Sequence, residues 1–95
     1  MIESVSISYL KNNQLKNIID IRSIQKYNDG HIYNAKNIPY NDLIINHYKY
    51  LNKEEKYYIY CQRGIQSKKI CQVLNALGYH VINVDGGYEA WILSE

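Results

Sequence analysis

Tyr57-Tyr58-Ile59-Tyr60-Cys61-Gln62-Arg63-Gly64-Ile65-Gln66-Ser67 is the stretch from which the fold can be read. The apolar, aromatic run Tyr57 to Tyr60 reads as a buried strand. After the loop, Ile70, Val73, Leu74 and Leu77 recur at the spacing of one helical face until Gly78 supplies a stop. Strand, loop and helix therefore follow one another with a thiol at the turn. The peptide groups from Gln62 to Ser67 are expected to curl around the Cys61 sulfur, with the helix N-terminus pointing at it. Both features favour a charged sulfur without a buried basic side chain. Gly64 fits a loop that folds its amides inward, because such a turn needs positive backbone angles or close approach somewhere. Ile65 completes the loop, Gln66 ends it, Ser67 reads as a helix cap or a hydroxyl donor to the loop, and Arg63 as a holder of an anionic donor. From spacing alone, a core-packed cysteine, a solvated arginine and a simple serine cap are the competing readings.

Outward from this unit, short apolar segments alternate with helical ones. Val5-Ser-Ile-Ser8 reads as an edge strand and Ile18-Ile19-Asp20-Ile21 as a more apolar one, with Asp29-Gly30 breaking the structure between them and the next segment. Ala35 to Ile38 leads into Pro39, the only proline, which must leave any sheet ladder. Leu43, Ile44, His47, Tyr48 and Leu51 form a helical stripe. Val81 to Val84 is the next strand, and Asp85-Gly86-Gly87 a sharp loop before Tyr88 to Trp91. This alternation predicts an α/β fold with helices on both faces of a sheet.

The chain of 95 residues suits one compact domain over 1–95, with no repeat or linker. Its formal charge of +2, with basic and acidic residues interspersed, gives no basic block, so nucleic acid is not the expected partner. Two cysteines without a CxxC pair, no secretory apolar region and no membrane-length apolar run point to a soluble protein in a reducing compartment, the cytoplasm. Cys71, beside the helical stripe, reads as a packed thiol, with a resolving role for Cys61 the minor alternative. His31, His47 and His80 have no ligand-spaced companions, so neither a metal nor a cofactor is expected. Asp20 and Arg22 alternate about Ile21 and would share one face, in a structural role near the site. Gly86-Gly87 lacks a phosphate-loop lysine and reads as a tight turn, with Trp91 a packing anchor.

The loop, together with Ile19-Asp20-Ile21-Arg22, Gly30-His31-Ile32, Ala35, Asn37-Ile38-Pro39, Leu77-Gly78-Tyr79 and Gly86-Gly87 followed by Trp91, resembles the rhodanese sulfurtransferases. The resemblance covers nearly the whole chain and implies their three-layer α/β domain, with a mostly parallel five-stranded central sheet. It implies that Cys61 takes a sulfane sulfur from a donor such as thiosulfate or glutathione persulfide, becomes a persulfide, and passes that sulfur to cyanide or a thiol, protein thiols included. Gln62 to Ser67 would surround the persulfide, and Asp20 and Arg22 would be structural nearby. Phosphatase-like relatives carry a phosphate-clamping arginine where this chain has Ser67, which disfavours phosphoryl transfer. The chain departs from many relatives at Gln66, where they place a basic residue, and at Lys26, where they place an acidic one. Arg63, Lys68 or Lys69 would then supply the missing cation. The alternative of another class is a catalytically inactive rhodanese-like module that binds a protein partner.

Overall fold

The computed structural model describes residues 2–94. Five strands, β1 (Glu3–Val5), β2 (Ile18–Asp20), β3 (Lys36–Asn37), β4 (Lys56–Tyr60) and β5 (His80–Val84), form one sheet in the order β1-β5-β4-β2-β3. Every strand pair is parallel. Such a sheet needs crossover helices and is covered on both faces. The helices are α1 (Ile7–Asn12), α2 (Ile24–Asp29), α3 (Tyr40–Ile45), α4 (His47–Tyr50), α5 (Ile65–Ala76) and α6 (Gly87–Leu93).

Strand alternation splits the core into two layers. On one face Ile19, Ile59 and Val81 pack with Leu43 of α3 and with Ile70 and Leu74 of α5. On the other, Ile18, Tyr58, Tyr60, Ile82 and Val84 pack with Ile7 and Leu10 of α1, and Trp91 of α6 closes that side. Leu43 and Leu74 are fully buried, and each such side chain contributes about 1.5–3 kcal/mol by leaving water.

Three local expectations are corrected. Val5 to Ser8 is not one strand: β1 ends at Val5, and Ser6 caps α1 by accepting the Tyr9 N–H at 3.1 Å. A serine before an Ile7/Leu10 pair at helical spacing outweighs the short β-like alternation. The stripe from Leu43 to Leu51 is broken at Asn46 into α3 and α4, and Tyr48 faces solvent. In α5 the buried positions are Ser67, Ile70, Cys71 and Leu74, while Val73 and Leu77 are partly exposed.

The chain leaves β2 toward the β3 edge and leaves β4 toward β5. The connections after these two adjacent strands therefore diverge, opening a crevice at their carboxyl ends, the usual ligand position in open parallel sheets. Arg22 lies just beyond β2 and Cys61 just beyond β4.

Candidate active site

Cys61 is buried at the end of β4, where the chain turns into α5. Two backbone N–H groups point at its sulfur, Gly64 at 3.1 Å and Ser67 at 3.3 Å. Gly64 makes the turn with φ +97°, a conformation costly for residues with a Cβ. The first turn of α5 leaves N–H groups without intrahelical acceptors, among them those of Ile65 and Gln66. The cradle expected from Gln62 to Ser67 thus has two of its amides directed at the Cys61 sulfur.

The loop is held from outside by α6. Tyr88 N–H donates to the Cys61 carbonyl at 2.9 Å and Glu89 N–H to the Gln62 carbonyl at 3.0 Å. These bonds turn the carbonyls away from the sulfur. Gly87, with φ +59°, lies so close that a Cβ would strike the Cys61 carbonyl oxygen. Gly86-Gly87 is therefore more than a turn, because it lets α6 clamp the sulfur loop.

Asp20 and Arg22 meet as the alternation predicts, in a buried and satisfied pair. The Arg22 Nη2–Asp20 Oδ2 distance is 2.7 Å, and Arg22 N–H and Nε also donate to the carboxylate. Tyr60 O–H donates to Asp20 at 2.6 Å while accepting the Ile32 N–H at 3.0 Å. Burial acts to lower the Arg22 pKa, but the Asp20 hydrogen bond and charge outweigh it and hold the guanidinium above its ordinary value. Arg22 reaches onward to Gln62 Oε1 at 3.1 Å and to the Gly30 carbonyl at 2.7 Å, and stacks on the Tyr88 ring at 4.1 Å. One buried ion pair thereby braces the Cys61 loop, the end of α2 and the start of α6.

A cleft of about 450 Å³ opens at Cys61, lined by Arg22, Lys26, Tyr40, Asn41, Gln62 and Gln66 among others. Lys26 is the basic side chain exposed at this mouth. Ser23 caps α2 by accepting the Lys26 N–H at 3.3 Å. The expected cations lie elsewhere. Arg63 is largely exposed and 3.6 Å from Glu89, in an adjoining hollow that Lys26 and Gln62 also line but that does not include Cys61, and Lys68 and Lys69 line a separate hollow with Asp85 and Gly86. The residue whose identity seemed to weaken the site is the one that places positive charge at its entrance.

Ser67 does not cap α5, whose cap is Gly64 with no side-chain bond. It is fully buried, 3.4 Å from Cys61 Sγ and 2.5 Å from Asn83 Oδ1. Asn83, Tyr60 and Tyr88 were not singled out in the sequence. The signal for Asn83 was a polar residue at an inward position of an otherwise apolar strand. Cys71 is fully buried, its thiol pushed up to about 12 by burial and by Cys61, in keeping with a packed rather than a resolving thiol. His31 stacks on Tyr27, His47 meets Tyr79 O–H at 2.8 Å and His80 pairs with Glu3. Among the described residues no group of three or more His, Cys, Asp or Glu is placed to hold a metal ion, and no helix is long and apolar enough to cross a membrane.

A strand-end cysteine cradled by amides at the crevice of a parallel sheet defines a class, and comparison with known proteins agrees. The model of the rhodanese-like domain matches residues 6–94, and the chain belongs to that family. Thiosulfate sulfurtransferase GlpE of Shewanella oneidensis is 32% identical over 75 residues, covering 78% of this chain and 73% of GlpE. The crystal structure of a rhodanese-like domain protein from Staphylococcus aureus is 36% identical with TM-score 0.86, covering 95% of this chain and 91% of that one. A rhodanese-related protein from Thermoplasma volcanium is 29% identical with TM-score 0.88, covering 97% and 92%. Longer relatives exist: the chain spans 23% of the adenylyltransferase and sulfurtransferase uba4 of Ogataea parapolymorpha, at 32% identity over 94% of this chain.

Proposed function

We propose that this chain, as one rhodanese-like domain over 1–95, is a sulfurtransferase that carries sulfane sulfur on Cys61. The observation that carries the reading is the Cys61 sulfur with the Gly64 and Ser67 N–H groups directed at it. These fixed dipoles stabilise negative charge on the sulfur, both as attacking thiolate and after loading. The Cys61 thiolate attacks the outer sulfur of thiosulfate, the S–S bond breaks, and sulfite leaves with its electron pair. The product is a Cys61 persulfide. Gln62, Arg63, Gly64, Ile65, Gln66 and Ser67 form the loop around it, and free first-turn amides receive the added sulfur. An acceptor, cyanide or a thiolate, then attacks the terminal sulfur, and Cys61 departs as thiolate. Thiocyanate or an acceptor persulfide is released. Glutathione persulfide serves equally in the first step, with glutathione thiolate leaving. Asp20 and Arg22 are structural, holding Gln62 and the loop.

The cationic mouth suits an anionic donor, and a protein thiol is a natural acceptor for a cleft that opens at the carboxyl ends of the strands. The packed Cys71 and a cysteine that works as a free thiol suit a reducing compartment, the cytoplasm. Incubating the reduced protein with thiosulfate or glutathione persulfide should add one reducible sulfur atom at Cys61, seen by intact-mass and peptide mass spectrometry. It should be absent in Cys61→Ser and removed by a thiol acceptor. Folded protein with an accessible Cys61 that takes sulfur from neither donor would overturn the reading in favour of a partner-binding module.

A further inference from the structure

Behind the sulfur, polar side chains lead from the loop to the surface. Ser67 and Asn83 are fully buried. Cys61 Sγ is 3.4 Å from Ser67 Oγ, Ser67 Oγ is 2.5 Å from Asn83 Oδ1, and Asn83 Nδ2 is 3.1 Å from Asp85 Oδ1. Asp85 is exposed and shares a hollow with Arg63, Lys68 and Lys69. The proton order along this chain follows from valence. An ionised carboxylate only accepts, so Asn83 turns its NH2 to Asp85 and its oxygen to Ser67. An amide oxygen also only accepts. The single hydroxyl proton of Ser67 is therefore committed to Asn83, and its lone pairs face Cys61.

We infer that Asn83, oriented by Asp85, is a positioning residue that holds Ser67 as an acceptor toward Cys61, so that the Ser67 hydroxyl is withheld from the thiolate. When Cys61 ionises, the S–H donor to Ser67 is lost. Ser67 donates to the thiolate only by leaving Asn83, which strands a buried amide oxygen. Asn83 cannot flip to accommodate this, because its oxygen would then face the Asp85 carboxylate. The loop amides pull toward thiolate and the relay pulls toward thiol. The other ionisable groups near the sulfur are Cys71 on α5, which stays protonated, Arg22, which reaches the loop through Gln62, and Lys26 of α2 and Tyr40 of α3, which line the cleft at Cys61; none of these is changed in the variants below.

The inference rests on the reading of Cys61 as the working nucleophile, yet its test needs no sulfur donor. The rate of Cys61 alkylation by iodoacetamide would be followed against pH, with peptide mass spectrometry locating the label. Asn83→Leu frees the Ser67 hydroxyl to donate to sulfur, and alkylation below the midpoint of the profile should rise about tenfold, equivalent to one unit on the pH axis. Asp85→Asn permits the amide flip without touching the core and should move the profile the same way. Adding Ser67→Ala to either variant should abolish the gain, which separates the relay from a simple loss of the Asp85 charge. A folded Asn83→Leu whose profile is unmoved or shifted up, or a gain that survives Ser67→Ala, overturns the inference. If Asn83→Leu does not fold, Asp85→Asn with and without Ser67→Ala decides on the same terms. Failure of sulfur loading with the profile shift intact would remove the sulfurtransferase reading and leave the relay standing.

Discussion

Lys26 lies in the mouth of the Cys61 cleft and has no ion-pair partner among the described residues. Arg63 is two residues from the sulfur in sequence, yet its side chain is 72% exposed and near Glu89. Proximity along the chain and proximity in space therefore point to different cations. A solvent-exposed charge acting on a dianion is worth a modest factor, so Lys26→Gln should raise the thiosulfate KM about two- to fivefold with kcat nearly unchanged. The difference should shrink as salt is added. Arg63→Ala should leave KM within experimental scatter. The ranking is wrong if Arg63→Ala raises KM and Lys26→Gln does not. The meeting of Asp20 and Arg22, and the place of Cys61 at the turn from strand to helix, were legible because their spacing is local. The place of Lys26 was not, because it depends on α2 being tied to Arg22 through the Gly30 carbonyl, a contact between side chain and backbone that no periodicity announces.

The elements around the sulfur divide their work. β4 delivers the thiol, α5 supplies amides, and α6 holds the loop through the Cys61 and Gln62 carbonyls. The close approach of α6 depends on Gly87, where a Cβ would meet the Cys61 and Gln62 backbone. Gly87→Ala should therefore cost about 1–3 kcal/mol in chemical denaturation and slow sulfur loading by more than tenfold per folded molecule. Loading unchanged in a protein of reduced stability would show that the clamp serves the fold alone. Strand-helix alternation was readable at this scale because β4, α5 and β5 each carry an apolar period long enough to identify them. The edge at Ser6 was not, since a residue that fits a short strand also caps a helix, and the outcome rests on the Ile7 and Leu10 contacts across α6. Gly86-Gly87 was readable as a turn but not as a clamp, for its partner lies in a loop distant in sequence.

Taken as a whole, the molecule carries ionisable groups buried in both core layers. On the α5 side Cys71 is held protonated, pushed up to about 12 by burial and by Cys61. On the α1 and α6 side Tyr60 is raised above its ordinary value by burial and by its hydrogen bond to Asp20, and Tyr58 by burial. The unfolded chain gives up such protons from about pH 8.5 for a thiol and about pH 10 for a phenol. Above those values the unfolded state binds fewer protons than the folded one, so stability falls as pH rises. It should be fully present below about pH 8 and decline steadily through pH 11, because folding holds Cys71 and the two tyrosines protonated while the open chain ionises. The Asp20–Arg22 pair does not offset this, since Arg22 stays charged throughout. Thermal melts from about pH 7.5 to 11 should show a falling Tm, and Cys71→Ala, though less stable at neutral pH, should show a shallower alkaline decline because one buried acid has been removed. A Tm that stays level over this range, or a Cys71→Ala slope equal to that of the parent, would mean that these groups are hydrated and ionise freely in the folded protein.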